Sequence, residues 1–119
     1  MSDWTFAATV VRVVDGDTVD MDVDLGFSVW FRGSFRLLGL NARELHMPGG
    51  IEAKDNLALL LPVGCPVALT STKVDKYGGR FDAVLTVGGS SVNDQLIATG
   101  WAAAWTGDGV KPVPPWPRS

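Results

Sequence analysis

Apolar and acidic positions alternate strictly from Val19 to Leu25, with Val19, Met21, Val23 and Leu25 on one side and Asp20, Asp22 and Asp24 on the other. A period of two predicts a strand with one buried face and one wet, acidic face. The run before it, TFAATVVRVV (Thr5 to Val14), is rich in β-branched residues and predicts another strand. Asp15-Gly16 joins the two as a hairpin signal, because both residue types tolerate positive φ. A third strand region extends from Phe27 to Leu38, with a bend or bulge expected around Gly33.

The pattern then changes. GIEAKDNLALLL, Gly50 to Leu61, sets Ile51, Leu57, Leu60 and Leu61 along an apolar helical face, and Pro62 and Gly64 stop it. Val67 to Val74 and Phe81 to Val87 predict two more strands, joined by the turn-forming DKYGG. Ser90 or Ser91 can cap a short second helix through Thr99, with Gly100 in the stop position. Four prolines in the nine residues of KPVPPWPRS predict an extended tail without helix or ladder pairing.

Three strands, a helix, two strands and a helix is the order of a five-stranded antiparallel OB-fold barrel with two packed helices, a mixed α+β class that is mainly β. Closing the sheet also removes its exposed edges. The 119 residues suit one core. The expected division is a barrel domain over residues 1–105 and a proline-rich tail over 106–119.

Composition narrows the function classes. With 46% hydrophobic and 19% charged residues the chain should fold. No apolar run approaches the roughly 18–20 residues of a membrane span, and MSDWTF lacks a basic, then apolar, signal sequence, so a cytoplasmic protein without membrane association is expected. A net charge of −3 argues against coating nucleic acid by bulk attraction, while leaving room for a local basic pocket. Cys65 is alone, so there is no internal disulfide, and in VGCPVAL it reads as a small core residue. His46 reads as a loop residue without chemical duty, Arg43 equally as a surface residue or a charge near the site. Trp101 and Trp105, flanking an alanine run, read as a satellite core or a base-stacking platform.

Five of the thirteen acidic residues fall in VVDGDTVDMDVD. Asp20-x-Asp22-x-Asp24 opens like an EF-hand loop, but that loop needs Gly sixth and Glu twelfth, where Leu25 and Phe31 stand. Asp15 and Asp17 differ from the strand carboxylates because they flank a turn glycine. FRLLGLNARE adds Arg36, Asn41 and Glu44 at a strand end, and DKYGGRF adds Arg80 on a turn. Two arginines, a carboxylate for a hard metal and a free carboxylate suit phosphodiester hydrolysis. Metal and arginines stabilise the charge developing on phosphorus, and a carboxylate orients or deprotonates water.

At this point the chain resembles the staphylococcal nuclease (thermonuclease-like) family. VDGDTV, FRLLGLNARE, GIEAKDNLALLL, DKYGGR and VNDQLIATGWA occur in the family's order and approximate spacing, over nearly all of Thr5 to Trp105. The resemblance implies an OB barrel and a calcium-dependent phosphodiesterase acting on DNA or RNA, single-stranded or locally open. It implies metal ligation by Asp17, Asn41 and the Ala42 carbonyl, phosphate binding by Arg36 and Arg80, general-base or water-orienting work by Glu44, and substrate contact by Lys76 and Tyr77.

The departures weaken the expected metal site. Asn41 stands at a usual aspartate, removing one negative charge from a calcium site. Arg43 replaces a proline, Gly79 lengthens the turn before Arg80, and the proline-rich tail replaces a long helix. Two functions therefore stand beside each other: a small, weakly calcium-binding nuclease, and a catalytically weakened module that binds single-stranded nucleic acid or a protein partner.

Overall fold

The computed structural model describes residues 4–74 and 81–115. Its barrel strands are β1 (Trp4–Asp15), β2 (Thr18–Asp24), β3 (Trp30–Leu37), β5 (Pro66–Val74) and β6 (Phe81–Val87). Between β3 and β5 lie β4 (Leu40–Ala42) and helix α1 (Gly50–Leu60). After β6 come β7 (Ser90–Ser91), helix α2 (Val92–Ala98) and β8 (Ala102–Ala104). The result is a closed five-stranded, OB-fold-like barrel with two helices. Neighbouring strands run antiparallel except at the closing seam, where β3 meets β6 in parallel through Phe35–Phe81, Arg36–Asp82 and Leu37–Ala83. The wholly antiparallel sheet expected from the element order is corrected there.

β1 lends one edge to β2 and the other to β5. Its register against β2 slips between Val10 and Arg12 and again between Val13 and Asp15, and such bulges bend and twist a strand. They do what was expected of Gly33. The β2–β3 register itself runs unbroken from Thr18–Arg36 to Asp24–Trp30. Gly33 instead leaves room for a ring, since a Cβ there would lie 2.5 Å from Phe31 Cε2.

The alternation in β2 holds: Val19, Met21 and Val23 are buried, while Arg12 donates to Asp20 at 2.8 Å and Arg32 grips Asp22 through both carboxylate oxygens. The Arg32 hydrogen bond holds the Asp22 carboxyl below its ordinary pKa. Leu25 leaves the pattern and is exposed, because the strand ends at Asp24 and a tight turn begins.

α1 buries Gly50, Ala53 and Leu57, three and four residues apart, with Leu61 just beyond its end. Ile51, expected on that face, points to solvent. The small residues win the inner face because the helix lies close to the Asp15–Thr18 turn. α2 begins at Ser91, whose Oγ accepts from Asp94 N at 3.2 Å. Its Asn93 ties three backbone groups together: Oδ1 accepts from Leu85 N, and Nδ2 donates to Leu38 O and Ala83 O. Among the described residues no helix is long and apolar enough to cross a membrane.

Candidate functional site

The Asp15–Thr18 turn is pressed between β4 and α1. A Cβ on Gly16 would lie 2.9 Å from the Cβ atoms of both Ala42 and Ala53. Gly16 does not adopt a positive φ, so close approach and not turn conformation requires glycine here. Packing the turn this tightly buries its last acid. Asp17 is 9% exposed, and its own backbone N–H donates to Asp15 Oδ1 at 3.1 Å.

Three groups surround the Asp17 carboxylate. Ala42 N donates to Oδ2 at 3.1 Å, Thr18 Oγ1 donates to Oδ1 at 3.2 Å, and Arg36 Nη2 lies 3.8 Å from Oδ2. Arg36 reaches it because β3 aligns Arg36 with Thr18 on β2. Burial, then the charge and hydrogen bond of Asp15, push the Asp17 pKa up to about 7, against the opposing pull of Ala42 N–H and Arg36. Asp17 is held out of water beside a second acid, and a proton or a cation is what relieves it.

The β4 end is organised differently. Asn41 Nδ2 donates to Pro112 O at 3.0 Å, and Arg43 donates to Pro114 O at 2.8 Å and to Pro48 O at 3.3 Å. Arg43 is therefore buried beneath the tail and is not a surface residue. Glu44 is half-exposed, with Lys111 Nζ 3.4 Å from one carboxylate oxygen and His46 Nε2 3.5 Å from the other. Trp105 stands between the two halves: its ring lies 5.2 Å from Arg36 Cζ and 5.8 Å from Lys111 Nζ. Its indole N–H donates to Asp108 O.

The structure thus gathers Asp17, Arg36 and Ala42, and connects Arg36 to Glu44 by way of Trp105 and Lys111. Asn41, expected beside Asp17, is directed to the tail. Arg80, Lys76 and Tyr77 lie outside the described residues. Asp15, read from the sequence only as flanking the turn, Trp105, read as core or stacking platform, and Lys111, not singled out at all, also belong to the neighbourhood. The i, i+2 spacing of Asp15 and Asp17 across a glycine was a readable signal. The contacts of Trp105 and Lys111 carry none, since they join the tail to residues far away in sequence.

Among the described residues no three His, Cys, Asp or Glu side chains converge as a metal-ligand group. The oxygens present nevertheless suit a hard cation in kind. Asp15 and Asp17 supply carboxylates. Ala42 carries its C=O on the same strand edge as the N–H that meets Asp17, because a strand residue exchanges both bonds with one side. Asn41 spends its N–H2 on Pro112, which leaves the amide oxygen as its remaining donor atom. Two carboxylates are few, and a site of so low a charge would hold calcium weakly. No protein-family model matches the chain, and no curated protein matches it at a significant level.

Proposed function

We propose that the chain is a small phosphodiesterase that cleaves DNA or RNA with the help of weakly held calcium. The observation that carries this reading is the buried Asp17 carboxylate, with half-buried Asp15 beside it and Arg36 3.8 Å away. A fold gains nothing from a carboxylate crowded out of water beside another acid, and a perturbed group of this kind is found most often where chemistry is done. The resemblance to thermonuclease-like proteins supports the same reading through Asp17 and Arg36.

Asp17, Asp15 and the Ala42 carbonyl would hold the cation, which when bound would supply positive charge against a phosphoryl oxygen. Arg36 lies with its cation against the Trp105 ring, a packing that leaves the in-plane N–H groups of a guanidinium free to grip phosphate oxygens. Glu44, on the exposed side, accepts the proton of the attacking water. The half-exposed position suits that task, because the carboxylate must meet bulk water and return its proton there.

A second reading is favoured by two contacts: Glu44 is paired with Lys111 and Asn41 is tied to Pro112. A chain that had lost catalysis and kept a binding role for single-stranded nucleic acid or a protein would be free to use these residues structurally. Cleavage of end-labelled single-stranded DNA in calcium and in chelator separates the two. The nuclease reading expects calcium-dependent products and losses of about 10²-fold or more in both Glu44→Ala and Arg36→Ala. Full activity in both purified variants would sink it.

A further inference from the structure

The described part of the C-terminal tail does not leave the barrel. Pro112 O takes the amide of Asn41, Pro114 O takes the guanidinium of Arg43, and Lys111 sits against Glu44 and above Trp105. Asn41 and Arg43 are two residues apart on and just after β4, and their acceptors are two residues apart on the tail. The two bonds fall in the same order and at the same spacing along both segments, so the tail lies alongside β4 in matching step. Prolines cannot donate, so this segment offers acceptor oxygens only. Regularly spaced acceptor oxygens on an extended backbone are also what a single-stranded phosphodiester chain presents.

We propose that the segment from Thr106 to Pro115 is an autoinhibitory strap, occupying the track along β4 that an extended nucleic-acid strand takes when the strap is displaced. This rests on the phosphodiesterase reading above. The strap withdraws Glu44 by giving it the Lys111 ammonium, and it occupies donors of Asn41 and Arg43 that would otherwise face phosphate and sugar oxygens. Its attachment suits release. The Lys111–Glu44 pair is half-exposed on both sides, and exposed pairs of this kind are weak. The tail forms no strand with the barrel, so no ladder of backbone bonds has to be broken. An incoming polyanion offers Arg43 a stronger, charged acceptor than a proline carbonyl.

Two full-length variants loosen the strap by different means without altering a residue of the cleavage machinery. Lys111→Glu sets like charges against Glu44. The double substitution Pro112→Gly, Pro114→Gly keeps both carbonyls and raises the entropy of the released tail. Amide hydrogen exchange over residues 105–113 reads the loosening. Binding of a fluorescent single-stranded oligonucleotide in chelator, and its cleavage in calcium, read the consequence. Both variants are expected to exchange faster, bind about three- to tenfold more tightly and cleave faster by a similar factor. Tighter binding without cleavage in any form would keep the strap and end the nuclease reading. Glu44-dependent cleavage by the unaltered chain, with neither variant binding or cleaving better, would keep the nuclease and overturn the strap. Unchanged exchange in both variants would overturn it as well, because these contacts would then not be what holds the tail.

Discussion

At the scale of single residues, Asp17 carries the sharpest conflict in the molecule and the plainest dependence on pH. Its ordinary pKa of 3.8 rises to about 7 in the fold, so between those values the folded chain binds more protons than the unfolded one. Stability from this group is then complete below about pH 4, declines as pH rises, and is lost above about pH 7, a change of order 4 kcal/mol. Urea unfolding at pH 5 and pH 8 should show that decline. Asp17→Asn, which can still accept from Ala42 N, should remove it and leave the chain more stable than the parent at pH 8. Calcium competes with the proton for the same oxygens, so it should raise the melting temperature more at pH 8 than at pH 6, and not in Asp17→Asn. A decline that persists in the variant would place its origin elsewhere. Arg36 and Asn93 were legible to different degrees for physical reasons. An arginine inside an apolar strand announces a partner by the cost of burying it alone, whereas nothing marks Asn93 as the amide that ties Leu38, Ala83 and Leu85 together.

At the scale of elements, the β2–β3 connection is the strained piece among the described residues. Leu25 N bonds Val29 O and Val29 N bonds Gly26 O, a tight turn whose central residues, Phe27 and Ser28, have φ of 55° and 61°. Positive φ at both centres is the twist that fits a hairpin, and Asn-Gly is the pair that adopts it without penalty. Phe27 is fully exposed and packs on nothing that would compensate. Phe27→Asn with Ser28→Gly is therefore expected to stabilise the chain by about 1–2 kcal/mol, read as a higher urea midpoint at unchanged m-value. A lower midpoint would mean that the exposed ring contributes to the fold after all. The Asp15–Thr18 turn teaches the opposite lesson. Its glycine looks in the sequence like a conformational requirement, and in the fold it answers to the methyl groups of Ala42 and Ala53.

At the scale of the whole molecule, the barrel is closed by a seam of three residue pairs, and that seam carries the site. Leu37 and Ala83 meet there fully buried, and Ala83 O holds both Leu38 N and the Asn93 amide. From this point the chain continues through β4 to Glu44. Ala83→Leu overfills the seam and is expected to cost about 1–3 kcal/mol in urea unfolding, and to weaken calcium stabilisation because β4 shifts away from Asp17. An unchanged calcium response in a destabilised variant would show that the site stands independently of closure. The strands of this barrel were legible because each repeats a pattern over seven residues or more. β4, β7 and β8, at three, two and three residues, are too short to show any period.

The sequence by itself determined the order of the five barrel strands and two helices, the wet face of β2 and the chemistry on offer: carboxylates at 15, 17 and 44 and an arginine at 36. These are local properties, written in period, turn residues and charge. Only the tertiary structure decided which of them meet. Burial between β4 and α1 sets Asp17 apart from the other acids and raises its pKa, the β2–β3 register sets Arg36 beside it, and the tail returns across the chain to hold Asn41, Arg43 and Glu44. Contacts over such separations depend on how the whole barrel closes, and neither local pattern nor composition records that closure.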